Sequence, residues 1–271
     1  MVRIAARMNE GRAKSVWTGY QRLVGARLVE WGVGPALRVH GLERLERLER
    51  LERLDGATGE QGMLLVANHR SFFDMFVVSS VLLRRVPGRW RLYFPVRGRY
   101  CYRSLGGALL NGAAAGWSMY PPFFREPGTR ALDRLMLDRL VAILRRGPGH
   151  VVGFHPEGTR NTSLDPYSLL PPHPGVGELV LAARPRVVPV FVAGLGNDVV
   201  EQVRASRRGE ARVRVHFGPP VPDDAYSTIP ARARGHAEIA RDLMRRIAAL
   251  GEEDREMYGE QVQGEGRRAQ D

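Results

Sequence analysis

The sequence has a single cysteine and no long apolar run, and each absence limits what the protein can be. Because Cys101 is the only cysteine in 271 residues, the chain can form neither an internal disulfide nor an all-cysteine metal site. This suits a reducing cytoplasm. No stretch approaches the roughly 20 uninterrupted apolar residues that a membrane-spanning helix needs. Residues 1–10 are basic but lack the continuous apolar core of a signal peptide. We therefore expect any contact with a membrane to be peripheral.

Positive charge is what the sequence has in excess. Its 41 lysine and arginine residues exceed its 29 acidic residues, which gives a net charge of +12, nearly all of it from arginine. Such a charge attracts nucleic acid, an anionic membrane surface or a phosphorylated substrate. A GC-rich genome that encodes arginine in place of lysine is another source of it. Hydrophobic residues at 44% are ordinary for a globular protein. Charge alone therefore leaves open a non-catalytic protein that binds membranes or nucleic acid.

Residues 12–32 form the first predicted helix. Its apolar residues recur at spacings of three and four, so they share one face: Trp17, Tyr20, Val24, Leu28 and Trp31. Cations lie beside or opposite that face: Lys14, Arg22 and Arg27. Such a helix either lies in the membrane interface or packs on its own domain, and both interpretations stay open. We treat residues 1–35 as an N-terminal amphipathic segment and a possible membrane-surface anchor.

A tandem Leu-Glu-Arg tract occupies residues 42–54. Its composition favours a helix, with glutamate preceding arginine at i,i+4. A leucine at every third residue slips by about 60° per repeat, so the leucines spiral and form no stable stripe. The tract therefore predicts a solvated helical linker rather than a coiled coil. At the other end, residues 251–271 are charged and contain glycine, and we expect a frayed tail there.

Strand patterns alternate with helical patterns across residues 36–250. Met63–Ala67 and Trp90–Val96 are predicted strands, and three further β-rich runs are closed by proline or glycine: Val151–His155, Val187–Ala193 and Val213–Phe217. The helical patterns between and after them are Ser71–Arg84, Ala131–Arg146 and Ile229–Leu250. This alternation predicts an α/β fold, a single domain with a largely buried mixed sheet flanked by helices, preceded by the N-terminal amphipathic helix.

The first candidate site follows the predicted strand Met63–Ala67. The run that begins at Asn68 reads Asn-His-Arg-Ser-Phe-Phe-Asp. Ser71 with an acid three residues later fits a helix start, so His69 would lie just outside the helix and Asp74 in its first turn. Chain reversal at this cap would bring the imidazole to the carboxylate. Alternatively, Asp74 is only a capping carboxylate and His69 an ordinary loop histidine.

The second candidate site follows the predicted strand Val151–His155. The run that ends it reads Phe-His-Pro-Glu-Gly-Thr-Arg, from Phe154 to Arg160. Ligand sites of α/β sheets gather outside the carboxyl ends of strands. Gly158 permits a close backbone approach, and the planar fork of Arg160 suits a phosphate. Glu157 would pair with that arginine, orient it or contact a hydroxyl, or it would only hold a turn.

Together and in this order, the two runs resemble the signatures Asn-His-x-x-x-x-Asp and Phe-Pro-Glu-Gly-Thr-Arg of the glycerolipid acyltransferase family, which includes 1-acylglycerol-3-phosphate acyltransferases. Arg125 resembles the arginine of the family's middle motif, and the resemblance spans roughly residues 36–225. The sequence departs from the family at His155, where phenylalanine is usual, and at Asn161, where serine is frequent.

The resemblance implies acyl transfer from acyl-CoA or acyl carrier protein to the free hydroxyl of 1-acylglycerol-3-phosphate, giving phosphatidic acid. It implies that His69 is the general base and that Asp74 orients it. The acceptor would be bound by Arg125, Glu157, Gly158, Thr159 and Arg160. No cofactor and no metal are expected, and the partners would be a lysophospholipid, the acyl donor and a membrane surface, without nucleic acid. The expected location is cytoplasmic, peripheral on the inner face of the membrane. Another lysolipid or glycerol-3-phosphate is the alternative acceptor.

Other chemistries find little support in the sequence. A serine hydrolase that uses Ser71 would need a Gly-x-Ser-x-Gly elbow, which is absent. Cys101 lies in no nucleophile motif. A zinc site formed by His155, Glu157 and His173 matches no recognised ligand spacing.

Overall fold

A computed structural model describes residues 1–47, 61–102 and 104–268. Its strands are β1 Leu37–His40, β2 Met63–Ala67, β3 Arg91–Tyr93, β4 Val96–Arg97, β5 Pro122–Phe123, β6 His150–Phe154, β7 Arg186–Ala193 and β8 Val213–Phe217. Its helices are α1 Val2–Met8, α2 Gly11–Tyr20, α3 Ala26–Val33, α4 Asp74–Arg85, α5 Gly98–Cys101, α6 Leu105–Ala115, α7 Arg130–Leu144, α8 Gly175–Ala183, α9 Val199–Arg208 and α10 Ala233–Arg268. Residues 42–47 are also helical.

Six strands form the main sheet, in the order β1-β8-β7-β2-β6-β3. Neighbouring strands run parallel except for β7 and β8, which are antiparallel. Every residue of β2 and β8 is buried, and helices pack on the sheet. Continuous apolar strands are typical of a sheet that is covered on both faces. The predicted α/β class, a single domain with a largely buried mixed sheet and an N-terminal helix, is therefore confirmed.

The N-terminal helices pack on the rest of the domain through a buried lysine. The Nζ atom of Lys14 donates to Asn9 Oδ1 (2.9 Å), to the carbonyl of Leu92 (2.5 Å) and to Ser118 Oγ (3.2 Å). It also lies 4.0 Å from the centre of the Tyr93 ring. Burial lowers the pKa of Lys14, and these contacts supply the partners that a buried ammonium requires. The segment is thus part of the folded domain.

A π-helical turn at Gln21–Gly25 divides the apolar face that the sequence pattern predicts. Such a turn inserts one extra residue, which rotates everything after it by about 100° relative to the helix before it. Before the turn, Trp17 is half-buried and meets Trp117 edge to face, with ring centres 6.3 Å apart. After it, Leu28 and Trp31 are 62% and 60% exposed. One face of the segment therefore packs on the domain while another turns apolar side chains to the surface.

The predicted linker, residues 42–54, and the predicted tail, residues 251–271, both differ from expectation where they are described. In the Leu-Glu-Arg tract, Leu45 is buried, so the described part of it packs on the domain; residues 48–54 lie outside the described residues. The prediction of a frayed tail from residue 251 is wrong, because α10 continues to Arg268. Asp254 is fully buried, accepting hydrogen bonds from Arg214 Nε and pairing with His216 Nε2 at 2.7 Å. Residues 269–271 lie outside the described residues.

Across the described ranges 1–47, 61–102 and 104–268, the helices all fall short of the length and apolar character needed to cross a membrane.

Candidate active site

The candidate site lies beyond the carboxyl ends of β2 and β6, which are neighbouring parallel strands paired in register at Val66 and Phe154. Asn68, directly after β2, is fully buried. Its side chain both donates to the carbonyl of Val192 on β7 (2.9 Å) and accepts from the N–H of that residue (2.7 Å). The amide thus substitutes for a backbone pair in the sheet, which fixes the direction in which the chain leaves β2.

The loop after Asn68 brings His69 to Asp74. The Nδ1 atom of His69 lies 3.2 Å from Asp74 Oδ2, and that oxygen also accepts from the backbone N–H groups of Arg70 and Ser71, each at 2.8 Å. Helix α4 begins at Asp74, three residues later than the sequence pattern predicts. The predicted chain reversal is confirmed. The group that holds the turn is the carboxylate of Asp74, which accepts from backbone N–H groups before the helix.

The surroundings of this pair keep the imidazole neutral. Burial, and secondly the charge of Arg160, lower the pKa of His69 below its ordinary range. Burial raises the pKa of Asp74, and the two backbone donors oppose that shift. A carboxylate only accepts hydrogen bonds, so Nδ1 of His69 carries the proton and Nε2 keeps a free lone pair. The pair therefore has the arrangement of an oriented general base.

Glu157 braces this loop from behind. Its Oε1 accepts from the backbone N–H of His69 (2.8 Å) and its Oε2 from the N–H of Leu170 (2.9 Å). The backbone carbonyl of His69 in turn accepts from the N–H of Asn161 (2.7 Å). Glu157 is 1% exposed and is not part of the cavity wall described below. The contact with substrate that the resemblance implies for Glu157 is therefore not what the geometry supports, since both oxygens are used to hold backbone.

Gly158 is required where the two arginine-bearing segments meet. Its φ of +64° is a left-handed conformation that favours glycine, and a Cβ there would collide with the guanidinium of Arg125 and the ring of His173. Arg125 Nη1 donates to the carbonyl of Gly158 (2.9 Å). Asp133, on α7, accepts from the backbone N–H groups of Phe124 and Arg125 at 2.7 and 2.9 Å. The loop that carries Arg125 is thus held in place from both sides.

Arg160 is exposed and turns toward a loop that follows β7. Its Nη1 donates to Asn197 Oδ1 (2.7 Å), which also accepts from the backbone N–H of Phe72 (3.2 Å). Arg160 therefore does not take Glu157 as its hydrogen-bond partner, as one sequence interpretation had it. Its single contact with a neutral amide leaves its charge available to an anion.

A cavity of about 400 Å³ opens in front of His69. Its polar lining residues are His69, Arg97, Arg125, His155, Gly158, Thr159 and Arg160. Its apolar lining residues are Phe72, Met75, Phe76, Phe94, Pro95, Val96, Cys101, Met119, Phe123 and Phe154. Among the described residues, this lining includes three arginines and no carboxylate. The cavity is thus suited to a molecule that carries both an anionic group and a long apolar part.

Of the residues that the sequence singled out, five line this cavity directly: His69, Arg125, Gly158, Thr159 and Arg160. Asp74 contacts the base from behind, and Glu157 braces the loop. Arg97 was missed by sequence reasoning. It lies on the two-residue strand β4, in a stretch of eleven residues that contains four arginines. No sequence motif distinguishes it from the other three.

His155 lies flat against the base. The rings of His69 and His155 are stacked, with centres 4.0 Å apart and planes 12° apart. With Asp74 they form a group whose ligand atoms lie within 4.8 Å of one another. A metal ion must lie in the plane of each imidazole that binds it, and two nearly parallel planes about 4 Å apart do not meet at one ion. The group is therefore a poor metal site. The zinc site considered from His155, Glu157 and His173 is not formed either, because Glu157 is committed to backbone N–H groups.

Two rival nucleophiles are also accounted for. Ser71 is buried and its hydroxyl donates to the carbonyl of Gly196 (2.6 Å), away from the histidine. Cys101 lies in the apolar wall of the cavity, and burial raises the pKa of its thiol, which disfavours the reactive thiolate.

Comparison with known proteins decides the family. The model of the family described as Acyltransferase matches residues 36–193, which is more than half of the chain. The chain belongs to the Acyltransferase family. It is therefore an acyltransferase enzyme. Among solved structures, one similar chain is the 1-acyl-sn-glycerophosphate (LPA) acyltransferase PlsC from Thermotoga maritima. It is 16% identical, with a TM-score of 0.47 over 85% of this chain and 80% of that chain. No curated protein matches the acyltransferase chain described here.

Proposed function

We propose that this acyltransferase transfers a fatty acyl group from a thioester, acyl-CoA or acyl carrier protein, to the free hydroxyl of 1-acylglycerol-3-phosphate, giving phosphatidic acid for phospholipid biosynthesis. The observation that carries the proposal is that His69 lines one cavity together with three arginines and a set of apolar side chains. A lysophosphatidic acid has the matching parts: an alkyl chain, a hydroxyl and a phosphate, in that order along the molecule.

In the proposed reaction His69 is the general base. Its Nε2 takes the proton of the acceptor hydroxyl as the hydroxyl oxygen attacks the thioester carbonyl carbon. The Nδ1–H group of His69 keeps donating its hydrogen bond to Asp74, which orients the ring and stabilises the imidazolium that forms. Collapse of the tetrahedral intermediate breaks the carbon–sulfur bond, and His69 returns the proton to the departing thiolate. The thioester arrives activated, so this sequence of steps needs no metal, no cofactor and no covalent enzyme intermediate.

The arginines would bind the acceptor's phosphate. Arg97, Arg125 and Arg160 all line the cavity, and burial, with secondly the charge of Arg97, lowers the pKa of Arg125. Like charges held together in a site are stabilised when an anion binds between them. Gly158 and Thr159 would shape the phosphate pocket, and Glu157 would act through the backbone of His69 rather than on the substrate.

The membrane is the proposed source of the acceptor. The exposed apolar side chains of α3 and the turn before it form one surface, the α3 face: Leu23, Val24, Leu28 and Trp31. Arg27 lies on the same exposed side, and Arg207 stacks over the Trp31 ring at 5.0 Å. Aromatic and aliphatic groups beside cations suit the headgroup region of an anionic bilayer. We place the enzyme on the inner face of the membrane, bound peripherally by this surface.

The test is transfer with purified protein. Radiolabelled acyl-CoA and acyl carrier protein thioesters are each incubated with 1-acylglycerol-3-phosphate, glycerol-3-phosphate and lysophospholipids with larger headgroups, and the products are identified by mass. We expect phosphatidic acid from the first acceptor and no product with His69→Ala. Faster turnover of glycerol-3-phosphate or of another lysolipid would replace the acceptor. Retained turnover in a folded His69→Ala protein would remove the mechanism.

A further inference from the structure

The stacked pair of histidines contains one ring with no part in the reaction outlined above. His155 follows β6 and His69 follows Asn68 after β2, so two neighbouring parallel strands deliver the two rings to one place. Their centres are 4.0 Å apart and their planes differ by 12°. That is face-to-face contact over the whole ring rather than a passing touch at an edge.

The ring of His155 is itself fixed. Its Nδ1 atom lies 3.0 Å from the backbone carbonyl of Ala67, the last residue of β2. A carbonyl only accepts, so Nδ1 of His155 carries the proton and the tautomer is set. Burial, and secondly the neighbouring His69, lower the pKa of His155 to about 3. The ring therefore stays neutral when a proton is placed on its neighbour.

The ring of His69 needs such a support. Rotation about its Cβ–Cγ bond is broad and roughly two-fold, and a flip would exchange the ring edge that faces Asp74 for the one that faces the cavity. Its hydrogen bond to Asp74 is 3.2 Å long. A flat neighbour on one face holds the plane of the ring, which is a restraint that hydrogen bonding at one edge does not supply.

We propose that His155 is a positioning residue for the acyl transfer: its fixed, neutral ring holds the imidazole of His69 in the orientation in which Nδ1 faces Asp74 and Nε2 faces the cavity, and its π face stabilises the imidazolium formed when His69 takes the hydroxyl proton. The proposal rests on the proposed role of His69 as general base. A cation over a desolvated aromatic face contributes enough to change kcat by about twofold to thirtyfold.

Two substitutions separate the ring from its hydrogen bond. His155→Phe keeps a flat face against His69 and loses the bond to Ala67, whereas His155→Asn keeps a donor for that carbonyl and loses the face. We expect His155→Asn to lower kcat by about twofold to thirtyfold with the KM of both substrates unchanged, and His155→Phe to retain a kcat close to that of the unmodified enzyme. The matched control is His150→Asn, at the other end of β6 and outside the cavity wall, for which no change in kcat is expected.

A second measurement does not depend on turnover. The ¹⁵N chemical shifts of the His69 ring, assigned by comparison with His69→Ala, report which nitrogen carries the proton. We expect a single Nδ1–H tautomer in the unmodified enzyme and in His155→Phe, and averaged shifts in His155→Asn, or in His155→Leu if the asparagine variant does not fold. An unchanged tautomer and an unchanged kcat in the variant without a ring would overturn the proposal, as would a phenylalanine variant as slow as the asparagine one. An ordered His69 in a protein that transfers no acyl group would instead overturn the proposed function.

Discussion

The backbone N–H of His69 donates a hydrogen bond of 2.8 Å to Glu157 Oε1, across 88 residues of sequence. The other oxygen of the same carboxylate accepts from Leu170. One buried side chain therefore ties the loop after β2 to the loop after β6 and to the segment that leads into α8. The placement of the proposed base depends on a residue that does not touch the substrate cavity.

Substitution of Glu157 tests this brace. In Glu157→Gln one backbone N–H must face an amide group that donates, so we expect a loss of about 1–3 kcal/mol in the free energy of unfolding. We also expect a fall in kcat of up to about 100-fold, because the base is displaced. Thermal unfolding and steady-state kinetics measure the two effects. Glu252→Gln, an exposed change on α10, is the control and should alter stability by less than about 0.5 kcal/mol. A stable Glu157→Gln enzyme with full kcat would show that the brace is dispensable.

The lowered pKa of His69 should determine the acid limb of the pH dependence of kcat/KM. The base works only when neutral, so kcat/KM should fall as the pH falls through the pKa of His69. Burial and the charge of Arg160 lower that pKa from its ordinary 6.5, and the midpoint of the acid limb should therefore lie below pH 6.5. Arg160→Ala removes the positive charge and should move the midpoint upward. Rate profiles from pH 4 to 9 test both statements, and a midpoint above 6.5 in the unmodified enzyme would contradict them.

The two arginines Arg97 and Arg160 should act on the acceptor and not on the acyl donor. Each Arg→Ala change removes a charged hydrogen-bond donor from the cavity wall, which should raise the acceptor KM by about 10- to 100-fold. The donor KM should stay within about twofold. Arg245→Ala, whose side chain is 74% exposed on α10, controls for the loss of one positive charge from the whole protein. An acceptor KM that Arg97→Ala leaves unchanged would exclude this residue from the phosphate site.

The α3 face should govern binding to bilayers. Leu23 and Leu28 are 59% and 62% exposed, so changing both to serine should leave the fold intact. Insertion of each leucine into the headgroup region is favourable, and we expect the double variant to bind anionic vesicles at least about tenfold more weakly in a sedimentation assay. Leu164→Ser changes an exposed leucine on a distant loop and serves as the control. If the unmodified enzyme, the double variant and the Leu164→Ser control all sediment equally with the vesicles, the α3 face is not the membrane contact.

The sequence was sufficient for the parts of the fold that depend on local pattern. Met63–Ala67 and Val213–Phe217 are strands with the predicted bounds, because both are short and rich in β-forming residues: the first is entirely apolar, and in the second apolar residues alternate with Arg214 and His216. Helix α9 was missed because Val199–Arg208 is short and mostly polar, with three valines and one alanine among its ten residues. The end of α10 was missed for a similar reason, since charge and glycine near Gly251 concealed the one buried acid, Asp254.

The candidate site shows a similar division. The pairing of His69 with Asp74 could be predicted, because both lie in one short turn. The brace by Glu157 could not, because its partners are backbone groups, and backbone groups have no signature in sequence. The stack of His155 on His69 depends on the pairing of β2 with β6, which the order of strands along the chain does not reveal. The presence of Arg97 in the cavity wall depends on where a two-residue strand points.

Lys14 is the one lysine in the sequence, and its side chain is buried where α2 packs on the rest of the domain. Every other side-chain cation apart from protonated histidine is a guanidinium, which stays ionised at any pH a cell can reach. The basic character of the exterior is thus permanent: it does not titrate away in mild alkali, and acetylation of lysine cannot cancel it. Amine-directed reagents have no exposed lysine side chain to attack, so coupling chemistry aimed at ε-amines will leave the side chains of the folded enzyme unmodified.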